Sequence, residues 1–261
     1  MIVHHAPAPL LELCNLTRRF GGLRAVDDLS FSVSAGTIHG LIGPNGAGKT
    51  TTFNLISGFY APSAGRILYE GRDIAGQRTS RLAEHGLIRT FQATTLFDQF
   101  SVFDNVRIGC HRSARSGFMS RILGTDRAIE RAADLRAEEI LEFFDLGALA
   151  GEPAAGLPHG HQRALGMAVA LAAQPKLLLL DEPFTGMNAG ETARMMRHVR
   201  QLRDERGVSI MLVEHDMQAV MGLCDVITVM NFGRKLAEGT PGEVRGDPLV
   251  IEAYLGRADA A

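Results

Sequence analysis

Apolar and polar positions change period several times along the chain, and each change predicts an element. Through residue 42 the runs are short, alternating or wholly apolar (LLELCNLTRRF, then AVDDLSFSVSAGTIHGLIG). Gly-Gly and Ala-Gly pairs break them, which is a β-rich pattern. After the glycine-rich segment at 43–48 the spacing predicts a helix carrying Phe53, Leu55 and Ile56 towards a core, with Gly58 where a C-terminal cap belongs. SAGRILYEGRDI (63–74) reads as a turn and a further strand pair. From about 93 to 165 the character changes. Between Thr125 and Phe144 the apolar positions Ile129, Ala133, Ile140 and Phe143 fall at helical spacing. A strand at Leu177–Leu180, a helix at about Ala189–Arg206, and strands at Ser209–Val213 and Val226–Met230 follow. Asp247-Pro248 opens a last helix through Val250, Ile251, Tyr254 and Leu255. Strands alternating with helices predict an α/β fold with a mostly parallel sheet, interrupted by a helical insertion.

Composition narrows the class. The 261 residues carry 27 Lys+Arg against 29 Asp+Glu, a formal charge of -2, so a dedicated nucleic-acid binder with its basic excess is excluded. Hydrophobic residues at 46% and charged residues at 21% exclude a disordered or fibrous chain, and the length suits one large domain or a core with a subdomain. Cys14, Cys110 and Cys224 are scattered, so they predict plain thiols in a reducing compartment, with neither a disulfide framework nor a zinc site. The longest apolar stretches, AVALAA (168–173) and LLLL (177–180), fall far short of a membrane span. MIVHHAPAPLLEL lacks the pattern of a signal peptide, and His4 and His5 read as part of a loose tail. The expected location is the cytosol, unless a partner holds the chain at a membrane.

The chemistry concentrates in two segments. GPNGAGKTT, Gly43–Thr51, fits G-x-x-x-x-G-K-[ST] between an apolar strand and a helix. Its glycines let backbone N–H groups converge on phosphate oxygens, and the helix N-terminus adds partial positive charge. Lys49 reaches the β- and γ-phosphates and the Thr50 hydroxyl ligates Mg²⁺, so the segment predicts a nucleoside-triphosphate site. About 130 residues later, LLLLDEP ends a buried strand in Asp181, whose carboxylate is directed at the same metal, through water or directly. Glu182 projects differently, as a base that activates water must.

With these two segments in order, the chain resembles an ATP-binding-cassette ATPase, the nucleotide-binding subunit of membrane transporters, from about residue 10 to 257. The resemblance implies a P-loop NTPase core with an antiparallel β subdomain and a helical subdomain at about 93–165, forming one domain with flexible tails at 1–9 and 258–261. It implies Phe20 in RRFGGLRAVDD as the aromatic on adenine, and Asn45, Gly46, Ala47, Gly48, Lys49, Thr50 and Thr51 as the phosphate loop. It further implies Gln92 in IRTFQ as a metal-sensing glutamine facing the membrane partner, and His215 in LVEHDM as the histidine that orients the attacking water. ATP and Mg²⁺ are the implied ligands.

One segment departs from the family. Its LSGGQ signature, which in a head-to-tail dimer completes the ATP site of the opposite chain, stands here as Leu157, Pro158, His159, Gly160, His161 and Gln162. Pro158 removes a hydroxyl and an N–H, a loss of about 2–4 kcal/mol if those donors touch a transition-state phosphate, and near zero if the proline merely starts the helix comfortably. The expectation drawn from this is a heterodimer with unequal sites, with a homodimer as the alternative.

FGGLRAVDDLSF, RSGFMSRILG, FTGMNAGET with Asn188 where many cassettes have Asp, VEHDM and GTPGEVRGDPLVIEAYLG look like the branched-chain amino acid importers. That likeness implies two integral-membrane permeases, a second ATPase and a periplasmic binding protein as partners, no nucleic acid, and a peripheral position on the cytoplasmic face of the inner membrane. The alternatives are a urea or amide importer, a lipopolysaccharide-export ATPase, and a soluble cassette of iron–sulfur cluster assembly. The arginines of the insertion (Arg112, Arg115, Arg121, Arg127, Arg131, Arg136) face solvent, or else meet lipid or a permease. The last helix packs on the core or on the second ATPase.

Overall fold

A computed structural model describes residues 9–90, 96–111 and 126–255. Three strands, β1 (Leu11–Phe20), β2 (Leu23–Val33) and β3 (Ile38–Ile42), open the chain and lead into helix α1 (Lys49–Ile56). Gly58 follows α1 with φ +76, in the left-handed conformation that glycine tolerates past a helix end. β4 (Ala64–Tyr69) and β5 (Arg72–Asp73) then return to β1, giving a four-stranded antiparallel sheet in the order β2-β1-β4-β5. After α2 (Thr79–Glu84) and β6 (Leu87–Arg89) come the helices α3 (Val102–His111), α4 (Asp126–Phe143) and α5 (His159–Ala172). The chain continues through β7 (Leu177–Asp181), α6 (Ala189–Asp204), β8 (Ser209–Val213), α7 (Met217–Leu223), β9 (Val226–Asn231) and β10 (Arg234–Gly239). It ends in α8 (Pro241–Gly246) and α9 (Pro248–Leu255).

The second sheet has the order β10-β9-β3-β8-β7-β6, parallel throughout except for β10 against β9. Its central strands are apolar without alternation because both faces are covered. Side chains on a strand point alternately to opposite faces. Thus Ile38, Ile42, Leu178, Leu180, Ile210 and Leu212 join the core under the helices. Leu41, Leu177, Leu179, Met211 and Val213 join a second core, against the antiparallel sheet and α1. The predicted mostly parallel sheet is therefore the middle layer of three.

The helical unit packs Val102, Val106, Ala137, Ile140 and Leu141 against Leu165 and Ala168. At Gly109 a Cβ would come within 2.8 Å of the Ala172 Cβ, so the close crossing of α3 and α5 depends on the missing side chain. Of the positions expected to face inward, Ala133 and Ile140 are buried, and Ile129 and Phe143 are half-buried. Arg127 and Arg131 lie on the exposed face, and Arg136 is half-buried. Arg112, Arg115 and Arg121 fall outside the described residues, as do residues 1–8 and 256–261, which hold His4, His5 and most of the expected tails.

Cys110 and Cys224 are buried and all three thiols are free, as their spacing implied. Burial pushes the Cys224 thiol up to about 12. The last helix packs on this chain's own core, through Val250. Among the described residues no helix is long and apolar enough to cross a membrane.

Candidate active site

Sheet register sets the site. Leu41 of β3 pairs with Val213 of β8, and Val213 with Asp181 of β7, so three neighbouring parallel strands end at one level. The phosphate loop begins two residues beyond Leu41, His215 lies two beyond Val213, and Glu182 follows Asp181. Loops at the carboxyl ends of parallel strands are where such sheets bind ligands.

The loop from Gly43 folds over its own lysine. Lys49 Nζ donates to the Gly43 carbonyl at 2.6 Å and to that of Pro44 at 3.1 Å. Partial burial lowers the pKa of Lys49, and the charge of Glu182 opposes that shift. Gly48, at φ +102, precedes α1 and caps it with no side chain, so no side-chain cap takes up the first-turn N–H groups, the arrangement an anion-binding helix start requires. A Cβ on Gly48 would collide with the Ala25 carbonyl, which fixes glycine there sterically as well. Asn45, Gly46 and Thr50 are exposed, Ala47 is buried, and Thr51 is half-buried. Phe20 is 40% exposed, edge-on to Tyr60 at 5.4 Å, with the Arg18 guanidinium 4.6 Å from its ring centre.

Glu182 is held in the left-handed region at φ +48 by its N–H bond to the Val213 carbonyl (2.9 Å). The Thr185 hydroxyl donates to its Oε2 at 3.3 Å, while Oε1 lies 3.9 Å from His215 Nδ1. That separation is too long for a hydrogen bond, and contacts of this kind tighten on substrate binding. His215 stands in the open, its side chain 63% exposed.

Two residues here escaped the sequence reading. Arg89, at the end of β6, places Nη2 2.7 Å from Asp181 Oδ2, with both side chains largely buried. Glu214 is buried and accepts the N–H groups of Phe184 (2.8 Å), His215 (3.0 Å) and Asp216 (3.4 Å). Burial raises its pKa, and the three N–H groups oppose the rise. The available signals were a single arginine closing the apolar run GLIR and a carboxylate directly after SIMLV. Gln92 lies outside the described residues.

The signature segment belongs to a separate cluster. Pro158 is the residue before α5, and the helix starts without a side-chain cap. Gln162 donates its side-chain N–H to the Leu157 carbonyl at 3.1 Å. His159 packs beside Gly186, and Gly160 beside Glu191. Asn188 caps α6 in a reciprocal pair with Glu191, each side chain accepting the other's N–H at 3.0 Å. Pro158 and His159 are exposed, and His161 is half-buried. Among the described residues no hydrogen bond joins 157–162 to the phosphate loop.

The sheet order and these loops define a P-loop nucleoside triphosphatase. A family model described as ABC transporter matches residues 26–185, and one described as branched-chain amino acid ATP-binding cassette transporter matches residues 234–260. The chain is 41% identical to the high-affinity branched-chain amino acid transport ATP-binding protein BraF of Pseudomonas aeruginosa, over 96% of this chain and 99% of that one. It is 42% identical to the LivG protein of Escherichia coli, which carries the same description, with the same coverage. Among solved structures, a nucleotide-free ATP-binding cassette from an ABC transporter aligns with TM-score 0.83 at 32% identity, over 95% of this chain and all of that one. The chain belongs to the ABC transporter family, as an ATPase that serves transport.

Proposed function

We propose that this chain is the ATP-binding subunit of an importer for branched-chain or related amino acids. Its nearest supports are relatives above 40% identity, with nearly full coverage, whose descriptions name that cargo. The observation carrying the catalytic reading is the common level of Leu41, Val213 and Asp181, from which the three loops leave together. Two permeases, a second cassette and, indirectly, a periplasmic binding protein complete the assembly at the cytoplasmic face of the inner membrane.

The donor set fits magnesium. Among the described residues no group of three or more His, Cys, Asp or Glu side chains holds a metal by itself. Mg²⁺ is characteristically held by one or two carboxylates, with phosphate, water and few further protein oxygens completing its shell, and Asp181 with the Thr50 hydroxyl satisfies that. Gln92 is the third protein donor in this reading. Bound there, the ion supplies charge neutralisation on the phosphates.

The protein's own residues do the rest. Phe20 offers one ring face to adenine, Arg18 lying over the ring as well. Residues Asn45–Thr51 wrap the phosphates, and Lys49 exchanges its two loop carbonyls for phosphate oxygens. Glu182, its Oε2 held by Thr185, presents Oε1 as the base for the attacking water, which His215 orients. The opposite cassette lays its signature over the γ-phosphate, and residues 157–162 do the same for the opposite site. With a proline at 158, that exchange is unequal in a heterodimer.

The test is Glu182→Gln in the full chain. Fluorescent-nucleotide binding should stay within about twofold, while phosphate release falls about 10²- to 10⁴-fold. Turnover at the parental rate would remove Glu182 as base. Co-purification of two multi-span proteins, followed by uptake of leucine but not urea, tests the cargo.

A further inference from the structure

Arg89 is a buried cation of the site, and its side chain reaches two elements at once, β7 and α1 with its C-terminal cap. Nη2 grips Asp181 Oδ2 at 2.7 Å, while Nη1 donates to Asn54 Oδ1 at 2.7 Å and to Ser57 Oγ at 2.8 Å. Its guanidinium lies 5.7 Å from the ring centres of Phe53 and Phe59. The backbone beneath it is fixed too: Arg89 is level with Leu179 of β7, and Thr90 donates its N–H to the Leu179 carbonyl at 2.9 Å. The planar fork of an arginine is suited to holding several acceptors in one orientation.

A buried arginine of purely structural purpose is satisfied by any carboxylate. This one takes the carboxylate at the end of β7, two residues beyond its own level in the sheet and three residues ahead of Gln92 in the chain. We infer that Arg89 is a positioning residue for the metal carboxylate. By holding Oδ2 it leaves the other oxygen of Asp181 for the metal, and through Asn54 and Ser57 it ties that carboxylate to the helix carrying Thr50. Groups that orient a metal ligand from behind carry about 10- to 100-fold in metal affinity. The inference rests on the magnesium reading given above.

The experiment reads the metal directly. Mn²⁺ binding is followed by electron paramagnetic resonance in the full chain with a non-hydrolysable ATP analogue, and analogue binding is measured separately in EDTA. Arg89→Gln should weaken Mn²⁺ by about tenfold or more, Arg89→Lys by less because charge remains without the fork, and Asn54→Ala least. In EDTA all three should bind the analogue within about twofold of the parent, since no phosphate contact is lost. Asn54→Ala leaves the buried ion pair intact and carries the test should Arg89→Gln fail to fold. Folded variants with parental Mn²⁺ affinity would overturn the role of Arg89. A parent that binds the analogue with no divalent-ion dependence would instead overturn the magnesium reading itself.

Discussion

The Glu214 carboxylate accepts the Phe184 N–H at 2.8 Å, and so joins the segment after β8 that carries His215 to the loop that follows Glu182. The segments that carry Glu182 and His215 thus share one buried anchor. Replacing Glu214 by Ala strands three N–H donors, each costing on the order of 1–3 kcal/mol where water cannot reach. Only the Phe184 bond is fully buried, so its N–H sets most of the loss, and the melting temperature should drop by about 2–12 °C, at roughly 2–4 °C per kcal/mol for a chain near this size. Turnover should fall as well, and Glu214→Gln, which keeps an acceptor oxygen, should recover part of both. Scanning calorimetry beside phosphate release checks this; a lowered melting point with parental turnover would confine Glu214 to stability.

Phe20 contributes a π-face and nothing polar. Phe20→Ala should weaken nucleotide binding by about 1–3 kcal/mol, the usual worth of a base on an aromatic ring. Phe20→Tyr keeps the face and should bind like the parent. Titration of a fluorescent ATP analogue separates the two, and an unchanged affinity for the alanine variant moves adenine elsewhere.

Pro158→Ser has two consequences, and the structure separates them. Because residue 158 precedes an α5 that has no side-chain cap, serine there should stabilise the isolated chain by about 0.5–2 kcal/mol. If the lost hydroxyl also serves the opposite ATP, turnover of the assembled transporter should rise several-fold. Calorimetry of the free chain reads the first effect and ATPase activity of the complex reads the second. An increase in stability with unchanged turnover would end the unequal-site argument.

Acid should find the core through His39. Its ring stacks on Phe31 at 5.5 Å, and its Nε2 meets the Thr228 hydroxyl at 2.9 Å. That hydroxyl donates to Glu238, so it accepts from His39, which is neutral with its proton on Nε2. Burial pushes the His39 pKa down from 6.5 to about 4. The unfolded chain therefore binds more protons between those values. The contribution of His39 is complete above pH 6.5 and is lost as pH falls towards 4. Melting temperatures of the parent should decline more steeply from pH 7 to 4.5 than those of His39→Gln; parallel curves would assign the acid sensitivity to other groups.

Wherever one segment carries its own signal, the sequence was readable. The long elements follow from periodicity, and the phosphate loop declares itself because a strand, a turn and a helix start are contiguous in GPNGAGKTT. The short elements were not legible: α2, β6, α7, β10 and α8 are mostly too brief for a period to emerge and owe their form to neighbours. In the site, Lys49 was legible from the glycine-rich motif, Asp181 and Glu182 from the end of an apolar strand, and His215 from the family resemblance of LVEHDM. Arg89 and Glu214 were missed because their meaning lies in partners 92 and 30 positions away, Asp181 and Phe184. Pairing across such distances is a property of packing, and a linear pattern does not encode it.

The helices α3, α4 and α5 leave the chain after β6 and rejoin it at β7, and those two strands lie side by side at one edge of the sheet. The whole excursion is therefore a bracket hung from a border seam. β3 and β8, which lead into the phosphate loop and His215, lie deeper in the sheet. The seam itself is made of β6, which ends in Arg89, and β7, which ends in Asp181. The Arg89–Asp181 pair thus clasps the strand from which the bracket departs to the strand on which it returns.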